Sequence, residues 1–141
     1  MCIRDSHNVA NKVVQKLETS KRVCLLLNGD LGAGKTTFVR AMLLRFGLPS
    51  NVRVQSPTFM YLQEYEIRDE LYLHFDLYRL KEVTDLSGLV DQEKLDRARV
   101  VFIEWPSRMN SVVDVLPTHL LEIALTDDEL TREITLKQFS I

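Results

Sequence analysis

The sequence predicts an α/β domain, a mixed sheet with a parallel core, antiparallel hairpins and flanking helices. Three observations carry this. An all-apolar run, Val23 to Leu27, leads through a glycine-rich turn into a stretch of helical periodicity, the pattern of a buried strand feeding a crossover helix. A second apolar run, Val100 to Ile103, ends at an acid, Glu104. Two pairs of apolar stretches, 59–67 with 71–77 and 120–125 with 130–136, are each joined by a short polar turn, which reads as two antiparallel hairpins.

The elements follow in order. Val9, Val13 and Leu17 recur every four residues beside Ala10 and Val14, a short amphipathic helix that Lys21 and Arg22 end. After the strand and the glycine-rich turn, Phe38, Met42 and Phe46 share a helical face with Val39 and Leu43, and Gly47 and Pro49 stop that helix. Asn51 to Pro57 reads as a loop and Phe59 to Ile67 as a strand, with a turn at Arg68-Asp69-Glu70. Leu71, Leu73, Phe75 and Leu77 alternate with Tyr72, His74, Asp76 and Tyr78, which predicts a half-buried strand. Glu82 to Asp96 carries one or two short helices. Leu120 to Leu125 and Leu130 to Leu136 flank the turn Thr126 to Glu129. No internal repeat is present.

Length and composition bound what such a domain can be. The chain has 141 residues, 45% of them hydrophobic, enough for a single domain over 1–141 with its own core. Met1 to Ser6 fits no periodic pattern and is read as a non-native leader. The longest apolar run has five residues, too short to cross a bilayer. A net charge of −2 argues against a protein that coats nucleic acid. Cys2 and Cys24 make neither a disulfide framework nor a metal site, and no signal peptide opens the chain. A reducing, soluble compartment, the cytoplasm, is the expected location.

The strongest chemical signal is Gly29-Asp30-Leu31-Gly32-Ala33-Gly34-Lys35-Thr36. It matches the P-loop pattern of nucleoside triphosphate-binding proteins, with a buried strand before it and an apolar helix after it. The glycines allow backbone conformations that side chains forbid. Successive N–H groups then point at phosphate oxygens, aided by the helix N-terminus. Lys35 brings charge to the β- and γ-phosphates, and the Thr36 hydroxyl suits Mg²⁺.

Such a site also needs a carboxylate from a neighbouring strand and a group that positions the attacking water. Glu104 ends an apolar strand where ligands gather in open α/β sheets and is read as the metal acid. Asp76 ends the strand before it and is open between a site acid and a surface acid. Ser56-Pro57-Thr58-Phe59 reads as a turn entering a strand, with a nucleotide-sensing switch as the alternative. Trp105-Pro106 reads as packing, with a residue that reports or gates the site as the alternative. His7, His74 and His119 have no ligand spacing and are taken as structural. Arg40, Arg45, Arg53, Arg79 and Arg108 are unpatterned and taken as solvated.

These segments together carry a resemblance. The P-loop with Thr37-Phe38, then Ser56 to Phe59, then His74-Phe75-Asp76-Leu77-Tyr78-Arg79-Leu80, then Ile103-Glu104-Trp105-Pro106 resemble the bacterial TsaE family in order and spacing, over roughly residues 8 to 138. That family is the ATPase of tRNA threonylcarbamoyladenosine synthesis. The resemblance implies that the P-loop backbone, Asp30 to Gly34, binds phosphates with Lys35 and Thr37. It implies that Thr36 and Glu104 bind Mg²⁺ and that Asp76 is required for hydrolysis. It sets Trp105 beside the site and Arg132 close to the nucleotide. ATP and Mg²⁺ are the implied ligands. The implied partners are TsaD, which transfers threonylcarbamoyl to the adenosine beside the anticodon, and its companion TsaB; tRNA is reached through them. Where the family opens with a Thr or Ser near the nucleotide, this chain has His7-Asn8.

Two other readings compete. A small-molecule P-loop kinase would need an arginine-bearing lid and an acceptor pocket, and this short chain shows no lid insertion. A GTP-dependent switch finds a D-x-x-G match in Asp85-Leu86-Ser87-Gly88. That match follows no apolar strand, and Asn11-Lys12-Val13-Val14 lacks the guanine-reading Asp. No arginine finger is identifiable, which implies low intrinsic hydrolysis that a partner would raise.

Overall fold

The computed structural model describes residues 10–15, 22–57, 60–80, 86–109, 117–125 and 132–139. Its strands are β1 (Val23–Asn28), β2 (Leu62–Ile67), β3 (Glu70–Asp76), β4 (Val100–Glu104), β5 (His119–Leu125) and β6 (Arg132–Gln138). Its helices are α1 (residues 10–15), α2 (Lys35–Phe46) and α3 (Gln92–Arg97). The strands form one sheet in the order β2-β3-β4-β1-β5-β6. β3, β4, β1 and β5 run parallel, while β2 and β6 pair antiparallel as the two edges. This is the predicted mixed sheet with a parallel core and two hairpins.

Both faces of the sheet are covered. On one, Leu25 and Leu27 of β1 pack with Phe38, Val39 and Met42 of α2 and with Ala10, Val13 and Val14 of α1. On the other, Leu73, Phe75 and Ile103 pack with Leu86, Val90 and Leu95 around α3. Cys24 is a buried free thiol in this second layer. α2 stops where the sequence predicts. Gly47 is left-handed at φ 112, its N–H reaches Leu44 O at 3.2 Å, and Leu48 N–H reaches Leu43 O at 3.0 Å. That paired closure is the Schellman motif.

Two strand expectations need correction. β3 is not half-buried, because Tyr72 and His74 are as enclosed as the leucines between them. The strand lies inside the sheet, and its polar-looking face turns toward α2. The strand expected over Phe59–Ile67 begins at Leu62, because Tyr61 adopts a left-handed backbone (φ 58) that breaks pairing. The hairpin turn sits as expected, with Arg68 and Asp69 both at positive φ, as a two-residue turn matched to strand twist requires. In 82–96 the described residues hold a short 3₁₀ turn at Leu86–Gly88 and α3. Leu86 lies in the apolar layer away from α2, while the Asp85 that opens the D-x-x-G match lies outside the described residues. The leader Met1 to Ser6, Cys2, His7-Asn8, Val9, Leu17, Lys21, Thr58-Phe59, Glu82 to Asp85, Thr126 to Glu129 and Leu130 fall outside the described residues.

Candidate functional site

The parallel strands end together, and the glycine-rich loop leaves from the end of β1. Gly32 and Gly34 take left-handed φ values of 80° and 110°, as predicted for the loop. At Gly29 the constraint is space, since a Cβ there would lie 2.6 Å from the Ile123 carbonyl oxygen on β5. The loop turns on the Ala33 N–H bond to Asp30 O at 3.0 Å.

Lys35 opens α2, and its side chain is 5% exposed. Nζ donates to the carbonyl oxygens of Gly29 and Asp30, the latter at 3.1 Å, and lies 4.1 Å from the centre of the Trp105 ring. Burial pulls the ammonium below its ordinary pKa, and the charges of Glu104, Asp76 and Asp30 pull it partly back. Thr36 follows one residue later, and its hydroxyl is 3.1 Å from each carboxylate oxygen of Glu104.

Glu104 ends β4 at 3% exposure. In register beside it stands Asp76, the last residue of β3. Asp76 Oδ1 accepts the Tyr78 N–H at 3.0 Å, and Oδ2 accepts the Ser56 hydroxyl. Asp76 is half-buried, accepts both of these bonds and lies on the wall of the cleft described below. Trp105 is left-handed (φ 60), although it precedes a proline and carries a bulky side chain. That strained turn folds the indole back over Lys35 and against Tyr78, with ring centroids 4.9 Å apart. Arg132 opens β6, and its guanidinium donates to Ala33 O and, at 3.4 Å, to Gly32 O.

One cleft gathers these groups. Its wall includes Leu31, Gly32, Gly34, Lys35, Thr36, Thr37, Asp76, Glu104 and Arg132 among the predicted residues, together with Ser56 and Trp105. Asp30 and Ala33 are not on that wall. Asp30 serves through its carbonyl, and Ala33 is buried beneath the loop. Trp105, read by position as packing and by the resemblance as lying beside the site, is on the cleft wall. His74, read from the sequence as structural, is fully buried and reaches the site, with Nε2 2.6 Å from Glu104 Oε2. The available signal was its place two residues before Asp76, hence on the same strand face. The arginines read as solvated are exposed, although Arg79 borders an adjoining cleft with Tyr78 and Trp105.

Hard oxygen donors from Thr36 and Glu104 converge at the loop mouth. Among the described residues no group of three or more His, Cys, Asp or Glu side chains could hold a metal alone. The donor set suits a cation such as Mg²⁺, which is usually bound by one or two carboxylates plus water and substrate phosphate.

Fold and site together define a P-loop-type α/β protein. The model of one family, the threonylcarbamoyl adenosine biosynthesis protein TsaE, matches residues 3–134. The chain belongs to the TsaE family, which takes part in tRNA threonylcarbamoyladenosine biosynthesis. Several relatives bear the name tRNA threonylcarbamoyladenosine biosynthesis protein TsaE. The Haemophilus influenzae protein is 37% identical over 102 residues, 72% of this chain and 63% of its own length. The Aquifex aeolicus protein is 33% identical over 124 residues, 88% and 83% of the two chains. The Rickettsia felis protein is 39% identical over 101 residues, 72% and 57%. The chain therefore spans under two thirds of the Haemophilus and Rickettsia relatives. The crystal structure of the Bacillus protein YdiB has a similar fold, with a TM-score of 0.69 at 23% identity over 98% of this chain and 81% of that one. No helix among the described residues is long and apolar enough to cross a membrane.

Proposed function

We propose that this chain is a Mg²⁺-dependent ATP-hydrolysing subunit that supports threonylcarbamoyl modification of the tRNA adenosine next to the anticodon, acting through TsaD and TsaB. The observation that carries it is the Thr36 hydroxyl bonded to Glu104, with Asp76 next in register, at the mouth of a glycine-rich loop. Family membership supports the process, and the cleft supports the chemistry.

In this reading the backbone N–H groups of the loop and Lys35 bind the β- and γ-phosphates. Lys35 leaves its contacts with Gly29 and Asp30 for phosphate oxygens. Thr36 and Glu104 would hold the cation, which supplies neutralisation of the phosphate charge. Asp76 orients water for attack on the γ-phosphorus, releasing phosphate and leaving ADP. Arg132 stiffens the loop through its carbonyls, and Thr37 adds a hydroxyl at the cleft wall. The partner pair raises a slow intrinsic rate, by contributing a group or by ordering the Ser56 segment.

Phosphate release from ATP, with and without the TsaD–TsaB pair and with no small-molecule acceptor, tests the proposal. Hydrolysis that rises with the pair supports it. Strict dependence on a small acceptor would instead favour the kinase reading.

A further inference from the structure

We propose that His74 is a positioning residue for Glu104, a buried imidazole that carries its proton on Nε2 and holds the carboxylate aimed at the loop mouth. The hydrogen bond stands by itself; what Glu104 is aimed at rests on the nucleotide reading above.

His74 and Glu104 meet through the sheet. β3 and β4 run parallel, and the register sets His74 beside Phe102 and Asp76 beside Glu104. His74, Asp76, Phe102 and Glu104 thus share the face that α2 covers. From there His74 Nε2 reaches Glu104 Oε2 at 2.6 Å. The Phe102 ring meets the imidazole edge-on, with centroids 6.5 Å apart and planes at 84°, which fixes the ring plane.

The tautomer follows from the other nitrogen. His74 Nδ1 is buried and has no hydrogen-bond partner among the described residues. A proton there would bury an unbonded donor and set the bare Nε2 against a carboxylate oxygen, acceptor against acceptor. An unbonded lone pair is the milder deficit, as the rarity of orphaned N–H groups attests. Nε2–H therefore donates and the carboxylate accepts. With Thr36 donating as well, Glu104 is held by two donors. A buried histidine in any role needs a partner for its N–H. Here that partner, the ring's one polar contact among the described residues, is the acid read as the metal ligand, the arrangement by which outer partners orient a ligand.

The experiment compares wild-type chain, His74→Leu and His74→Gln by calorimetry, using ADP alone in chelator and ADP with Mg²⁺. Gln places a donor amide near the Nε2 position; Leu removes it. His74→Leu should weaken Mg²⁺ binding to the ADP complex about 10- to 100-fold, leave ADP affinity in chelator within about twofold, and be largely rescued by His74→Gln. Unchanged Mg²⁺ affinity in His74→Leu, equal losses with and without metal, or no rescue by Gln overturns the proposal. If His74→Leu does not fold, ¹⁵N NMR of the wild-type ring decides: a protonated Nε2 and bare Nδ1 are expected, and a proton on Nδ1 overturns it. A wild-type chain whose ADP binding ignores Mg²⁺ would remove the metal reading instead, and the tautomer would still report whether His74 grips Glu104.

Discussion

Asp76 and Glu104 stand side by side at the last paired position of β3 and β4, both on the wall of the cleft at the glycine-rich loop. Their surroundings divide the work. Glu104 faces Thr36 and His74, whereas Asp76 faces Ser56 and the Tyr78 N–H. Asp76→Asn keeps the shape and removes the charge. It should lower ATP hydrolysis by about 100-fold or more, the scale of a lost proton-handling group, with ADP affinity changed by less than about threefold. Steady-state phosphate release beside an ADP titration checks this; full hydrolysis in Asp76→Asn would make Asp76 a scaffold for the Ser56 loop.

Trp105 is the single tryptophan of the chain, and the Lys35 ammonium sits over its ring. Phosphates that draw Lys35 from its carbonyl partners also draw it from the indole. Adding ATP or ADP should therefore change the tryptophan emission saturably. Lys35→Ala should alter the resting emission and weaken nucleotide binding about 10- to 100-fold, as expected for a lost hydrogen bond to charge. Unchanged affinity in that variant would contradict the role given to Lys35.

The loop's first glycine is constrained by β5. A methyl at Gly29 would sit 2.6 Å from the Ile123 carbonyl, so backbone must shift. Gly29→Ala should cost about 1–3 kcal/mol by overpacking and weaken nucleotide binding as well. Urea unfolding with a parallel ADP titration reads both, and a variant as stable as the wild type would mean the loop is not seated on β5.

Alkaline pH should loosen the fold. Burial pushes the Cys24 thiol from 9.0 up to about 12, and burial with Glu70 pushes the Tyr72 phenol from 10.0 up to about 12. The unfolded chain releases these protons first, so it binds fewer protons than the native state and stability falls as pH rises from about 9 toward 12. Cys24 alone accounts for up to about 4 kcal/mol of that fall. Urea unfolding across this range should show a shallower decline for Cys24→Ala than for the wild type; parallel declines would place the thiol in solvent.

Much of the site was legible because its chemistry is local. Residues 29 to 37 carry the loop in one run, and Glu104 announces itself by ending an apolar strand. The parallel core was legible because Val23–Leu27 and Val100–Ile103 have nothing polar to expose. What was hidden depends on contacts far along the chain. His74 lies 30 residues from Glu104, and its alternation with leucines looked like exposure because tyrosine and histidine serve equally as rim and core. Trp105 touches Lys35 only because of a left-handed turn, and no composition signals one at a tryptophan. The Asp76 reading needed Ser56, which the sequence assigns to a loop.

The central claim, that Glu104 and Thr36 hold the cation for hydrolysis at this loop, is tested most directly by Glu104→Ala. Phosphate release from ATP should be measured over a Mg²⁺ titration, with ADP affinity in chelator as control. The expected result is loss of Mg²⁺-dependent hydrolysis with metal-free ADP binding retained. Hydrolysis by Glu104→Ala at the wild-type rate, with the wild-type response to Mg²⁺, would contradict it.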